Sequence, residues 1–194
     1  PLTESQIELL FKDIERLTGQ MQEEQDNVMC LLARAMDYSM LQDYVLAEAD
    51  CSKAIAMNST IWAPYFFRAS VLDKMQQLQS AEAGEGAKMN VTGGYISQQI
   101  LNDLTRVVEI NPDMEYAYYN RGTIYAKAND YHSAVADFTK AIEINDELAE
   151  AYYNRALVYV FQNKIDEAIK DLSRAGELGL YQAYNIIKRF SYTD

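Results

Sequence analysis

Glu115-Tyr-Ala-Tyr-Tyr-Asn-Arg-Gly-Thr-Ile-Tyr125 is followed, 34 residues on, by Ala149-Glu-Ala-Tyr-Tyr-Asn-Arg-Ala-Leu-Val-Tyr159. The stretches behind them match at the same offset: Ala134-Val-Ala-Asp-Phe-Thr-Lys-Ala-Ile-Glu-Ile144 and Ala168-Ile-Lys-Asp-Leu-Ser-Arg-Ala-Gly-Glu-Leu178. A fixed period of this length means one small unit stacked on its neighbours. Two more units lie upstream. Residues 28–61 carry Ala35, Tyr38, Ala47 and Ala54 at the same phases. Residues 62–114 open with Tyr65-Phe-Phe-Arg-Ala69, close with Val107-Val-Glu-Ile-Asn-Pro112, and hold a 19-residue insertion. The remaining units are 115–148 and 149–182.

Each unit reads as two helices. Small residues recur at Ala35, Ala69, Gly122 and Ala156 in the first helix, and at Ala47, Ala134 and Ala168 in the second. A further series is Ala54, Ala141 and Ala175. Small side chains let two helix axes approach closely. Large residues at helical spacing fill the space between: Tyr38, Leu72, Tyr125 and Tyr159, then Cys51, Leu104, Phe138 and Leu172. In the second unit Ile100 and Val107 stand where small residues are usual, so its helices are expected to sit further apart.

The pattern resembles the tetratricopeptide repeat over residues 28–182. The residues that carry it are the Tyr…Gly/Ala…Tyr series, the Ala…Phe/Leu…Ala series and Pro112; the closing Pro is replaced by Ser59, Asp146 and Leu180 elsewhere. The resemblance implies an all-α, right-handed α–α superhelix whose first helices line a concave groove. That groove would hold an extended peptide or a partner helix. Phase places Met29, Leu32, Met36, Met40, Phe66 and Phe67 there from the N-terminal half, and Tyr119, Asn120, Tyr153 and Asn154 from the C-terminal half. Met-rich surfaces adapt to varied apolar partners. Asn side chains offer a peptide backbone both a donor and an acceptor. A basic clamp for a partner's C-terminal carboxylate, one well-known use of the family, is not expected, because only Lys74 and Lys127 fall near such positions.

The flanks differ from the units. Residues 3–17 read as an amphipathic helix with Ile7, Leu10, Phe11, Ile14 and Leu17 on one stripe and capping-box spacing at Thr3 and Gln6. Gly19 and the polar run Gln22 to Asp26 put this helix out of phase with the repeat. Residues 1–27 are therefore a cap or linker, or the tail of a further upstream unit. Residues 183–194 are expected to form a C-terminal capping helix and tail, with Lys188 and Arg189 giving the polar end that an array needs. The insertion, residues 76–94, is rich in Gly and Ala and reads as a mobile loop. Its Gly93-Gly94 is not a phosphate loop, since no Gly-Lys-Ser/Thr follows. The sequons Asn58-Ser-Thr60 and Asn90-Val-Thr92 read as chance.

Composition narrows the function. With 17 Lys plus Arg against 29 Asp plus Glu, the net charge is −12, which argues against nucleic acid and anionic membrane surfaces. No apolar run is long enough for membrane insertion. Two cysteines, Cys30 and Cys51, read as buried thiols, and the lone His132 as a solvated surface residue at a helix start. Catalytic residues, cofactor and metal are therefore all assigned as none. The expected function is a non-catalytic protein-interaction scaffold, soluble and by preference cytoplasmic, that binds a protein or peptide. The alternatives are a regulatory or targeting domain of a larger enzyme or sensor chain, and a self-association module. The chain opens Pro1-Leu2-Thr3 without Met, as an excised piece of a longer or exported protein would.

One further series recurs in all units: Arg34, Arg68, Arg121 and Arg155 in the first helix, and Asp50, Asp103, Asp137 and Asp171 in the second. An arginine beside a close helix contact needs a carboxylate, and its planar fork suits a bidentate pair. The expected pairing joins neighbouring units, as Asp50–Arg68, Asp103–Arg121 and Asp137–Arg155.

Overall fold

The protein was analysed as a computed structural model that describes residues 2–23, 27–83 and 91–191. Among the described residues the chain is all helical: α1 (Glu4–Glu23), α2 (Val28–Met40), α3 (Tyr44–Met57), α4 (Trp62–Ala83), α5 (Val91–Ile110), α6 (Glu115–Lys127), α7 (Tyr131–Ile144), α8 (Ala149–Phe161), α9 (Ile165–Glu177) and α10 (Gln182–Ser191). They form four helix pairs with one helix at either end. The chain divides into two compact units, 1–110 and 111–194, a border close to the one expected between the second and third repeats.

In the first unit α1 packs on α2, α2 on α3, α3 on α4 and α4 on α5. In the second, α6 packs on α7, α7 on α8, α8 on α9 and α9 on α10. The small residues sit where the helices close up: Ala35, Ala47, Ala54, Ala134, Ala141, Ala156, Ala168 and Ala175 are fully buried. Gly122 shows why. A Cβ built there would lie 3.0 Å from two ring carbons of Phe138 and 3.3 Å from the Ala134 carbonyl oxygen. The first helix of a pair turns into the second through one left-handed residue, Gln42, Asn129 or Asn163, with φ of 64°, 61° and 58°. Asn tolerates that region well. An aspartate follows as N-cap in two of these turns: Asp43 accepts from the Leu46 N–H, and Asp130 from the Ser133 N–H.

The recurring charges pair within each repeat, not between neighbours. Arg34 closes on Asp50, Arg68 on Asp103, Arg121 on Asp137 and Arg155 on Asp171, all bidentate at 2.7–2.8 Å. The expected Asp50–Arg68, Asp103–Arg121 and Asp137–Arg155 register is thus overturned. The reason is geometric: Arg and Asp face each other directly across the close crossing of a helix pair. Neighbouring repeats are still linked, but through a hydroxyl. Arg68 Nη1 donates to Ser52 Oγ at 2.8 Å, and Arg155 Nη1 to Thr139 Oγ1 at 2.9 Å. Tyrosines flank the guanidinium of Arg34, Arg121 and Arg155 at 5.6–5.9 Å. The Arg68–Asp103 pair closes as tightly as the other three. Burial pushes the Asp103 carboxyl above its usual range, against the pull of Arg68.

Two other expectations are corrected. First, α1 is in register with the repeat. Leu17 lies 34 residues before Cys51, and Thr18 34 before Ser52. Leu17 is buried, and Thr18 Oγ1 accepts from Arg34 Nη1 at 2.8 Å, the contact Ser52 gives Arg68. The capping box at its start forms in both directions, Thr3 N–H to Gln6 Oε1 at 2.8 Å and Gln6 N–H to Thr3 Oγ1 at 3.3 Å. Second, much of the 76–94 insertion is helix. It lengthens α4 to 22 residues and α5 to 20, against 13 or 14 in the other pairs. The Gly84–Asn90 core of the expected loop, with the sequon at Asn90, lies outside the described residues. Of the thiols, Cys51 is buried but Cys30 only half-buried.

Candidate binding face

The first helix of each pair buries one side against its partner, and on α2 the other side reaches solvent. On α2, Leu31 and Ala35 are buried against the pair. Met29, Met36 and Met40, on the opposite stripe, are 63%, 50% and 54% exposed. Leu32, expected on this face, is buried. Phe66 on α4 is half-buried and stands edge-on to Trp62, with ring centroids 6.4 Å apart. Phe67 turns into the core, packing on Ala35, Ala47, Cys51 and Val71. Met40 lines a cavity of about 400 Å³ with Leu2, Gln6, Leu9, Leu10 and Asp13 of the N-terminal segment and Asp37 of α2.

In the second unit the face is aromatic and amide-bearing. Asn154 Nδ2 on α8 donates to the Tyr119 hydroxyl on α6 at 3.0 Å. The Tyr119 ring leans on Phe138 at 6.0 Å. Burial raises the Tyr119 phenol above its usual range, and the Glu150 carboxylate adds to that. Tyr153 packs against the cluster of Ala156, Leu172 and Ala175. Asn120 is half-buried. The structure thus brings Tyr119 and Asn154 together as one hydrogen-bonded pair.

At the phases of the methionine stripe, two exposed aromatics escaped the sequence reading. Tyr116 is 48% exposed and Phe161 72% exposed. Phe161 stacks on Tyr131 with centroids 5.7 Å apart and planes 1° from parallel. The signal was available, since Tyr116 holds the phase of Met29 and Phe161 that of Met40.

The described residues hold no group of three or more His, Cys, Asp and Glu able to bind a metal ion. Burial pushes the Cys51 thiol up to about 12, leaving a group inert as a nucleophile. His132 is exposed at the start of α7. No described helix is long and apolar enough to cross a membrane.

A tetratricopeptide-repeat family model matches residues 115–148, and a second one matches residues 138–170. Residues 115–170 thus carry tetratricopeptide repeats. Solved structures agree with this fold. The crystal structure of MamA superposes with a TM-score of 0.72 at 20% identity, covering 88% of this chain and 89% of that one. MamA 41-end from Desulfovibrio magneticus RS-1 gives 0.72 at 17% identity, covering 89% and 87%. TTC0263, a thermophilic tetratricopeptide-repeat protein of Thermus thermophilus, gives 0.63 at 17% identity, covering 92% and 87%. No curated protein matches the sequence. The chain shares a helical-repeat solenoid fold with these proteins.

Proposed function

We propose that this protein is a non-catalytic interaction scaffold, and that the uncovered faces of its first helices hold a peptide or helix of a partner protein. The observation that carries the reading is the methionine stripe on α2. Met29, Met36 and Met40 are each half exposed or more, although helix formation alone would be served by polar residues there. Grouped exposed apolar side chains mark interaction surfaces more often than single ones do. Methionine suits a partner's apolar side chains because its unbranched thioether adapts its shape. In the second unit, the Tyr119–Asn154 pair supplies polar groups for a partner's backbone.

The test is capture of partners from the source cell with the full chain as bait. Met29→Ser with Met36→Ser should abolish capture of a specific partner while the helical signal stays unchanged. Capture that survives in that variant, and also in Tyr119→Phe with Asn154→Ala, would overturn the assignment of these faces. Phe67 is unsuitable for such a test, because its ring belongs to the core.

A further inference from the structure

The cavity of about 400 Å³ between the N-terminal segment and α2 has a wall of two kinds. Leu2, Leu9, Leu10 and Met40 are apolar, and Leu9 and Met40 are more than half exposed. Asp13 of α1 and Asp37 of α2 are acidic. Both aspartates depart from the repeat. Asp37 holds the position of Val71, Ile124 and Val158, which are 2%, 5% and 2% exposed. Asp13 holds that of Ala47, Ala134 and Ala168, all fully buried. In later repeats these two positions pack in one cluster, Val71 with Ala47 and Val158 with Ala134. Between α1 and α2, two carboxyl groups line a cavity at these same positions.

Their charge is not balanced from within. Asp50, Asp103, Asp137 and Asp171 each hold an arginine. Asp37 Oδ2 is sheltered from solvent yet accepts from no donor. The cations of α1 and α2 are engaged elsewhere: Lys12 on Glu8 at 2.8 Å, Arg16 on Asp13 at 2.6 Å and Arg34 on Asp50 at 2.7 Å. A sheltered carboxylate oxygen without a partner is costly, and an incoming cation removes the cost. A metal ion is a poor match, because the described residues hold no group of three or more ligating side chains. A lysine or arginine side chain matches both parts of the wall: its aliphatic stem lies on apolar groups while its head stays charged. The carboxylate torsion of aspartate is broad, so Oδ2 can turn into the cavity. We propose that this cavity takes a lysine or arginine side chain of the partner, with the stem along Leu9, Leu10 and Met40 and the head on Asp37. The site rests on the reading of the methionine stripe as the binding face, and Met40 belongs to both. It selects a partner segment in which a basic residue stands beside apolar ones.

Two synthetic amphipathic helical peptides serve as probes, identical in their leucines and carrying either lysine or glutamine at the polar positions. In titration calorimetry the full chain should bind the lysine peptide about tenfold tighter or more, as one charge-assisted hydrogen bond implies. D37V, which installs the residue of later repeats, should remove that preference and leave the affinity for the glutamine peptide unchanged, and D37N should do the same. E15Q, which removes an exposed charge of α1 outside the cavity wall, should keep the preference and so separates the site from the general attraction of an acidic chain. Equal affinity for the two peptides, binding of neither, a preference that survives D37V, or equal losses in D37V and E15Q would each overturn the site. A D37V chain that melts well below wild type would overturn it as well, by making the carboxylate structural. Failure of the broader reading looks different: M29S/M36S would then leave the affinity for both peptides intact.

Discussion

Replacing Arg155 with Met tests what the recurring Arg–Asp pairs contribute. Arg155 bonds Asp171 through Nε at 2.7 Å and Nη2 at 2.8 Å, and reaches Thr139 through Nη1 at 2.9 Å. The side chains are only 15% and 10% exposed. Met keeps much of the stem's packing beside Tyr152 and Tyr159 but strands the buried Asp171 carboxylate at the helix crossing. Breaking a buried pair from one side costs about 3–5 kcal/mol, and the residual exposure places this one near 3 kcal/mol. The same change at Lys140, whose pair with Glu143 is 48% and 59% exposed, should cost under about 1 kcal/mol. The double variant Arg155→Met/Asp171→Leu removes both charges and should recover most of the loss, because the penalty lies in the orphaned carboxylate and not in the missing attraction.

Urea unfolding followed by circular dichroism, with the slope compared across variants, gives these differences. The slope matters because a repeat array can lose cooperativity and unfold piecewise. Two results would refute the reasoning: Arg155→Met costing no more than Lys140→Met, or the double variant being as unstable as the single one.

The other predictions concern helix ends and the close crossing. Gln42→Gly should stabilise by about 0.5–1 kcal/mol, since Gln42 is a non-glycine residue held at φ 64°, and a rise in melting temperature checks it. Gly122→Leu should destabilise by roughly 1–3 kcal/mol through overpacking, since even a Cβ would press on Phe138, and calorimetry checks it. Asp130→Ala should lower stability at neutral pH, with the difference from wild type shrinking in acid. Hydrogen bonds from Ser133 hold the Asp130 carboxyl below its usual range, so its stabilisation is present above the unfolded-state value and lost as pH falls through the folded one. Melting curves across that range should show the two proteins converging.

The repeat made most of this fold readable. Period and phase together predict the helix pairs, the buried alanines and the Arg and Asp positions, because each position has the same neighbours in every copy. What phase does not supply is which of two equivalent neighbours a long side chain chooses. Arg68 lies one helix away from both Asp50 and Asp103, and only the three-dimensional crossing selects Asp103. Composition misled at the insertion. Gly and Ala read as loop, yet Gln76–Ala83 and Val91–Gly94 continue the helices, where Gln76 Nε2 donates to Ser97 Oγ at 2.8 Å across the extended pair. The candidate face was legible as a set of phases but not as exposures, since whether Leu32 or Met36 meets solvent depends on the neighbouring helices.

The register of α1 was missed for a reason that bears on its role. In the other second helices, the positions facing the first helix of the same pair are small or acidic. Ala134 meets the Gly122 position, and Asp137 pairs with Arg121. The corresponding residues of α1 are Asp13 and Arg16, which bond each other. A search for apolar and small residues at those phases finds none and rejects the helix. The positions facing the following repeat were kept: Leu17 is buried, and Thr18 receives Arg34. α1 is thus a second helix with one side intact and the other rewritten as polar.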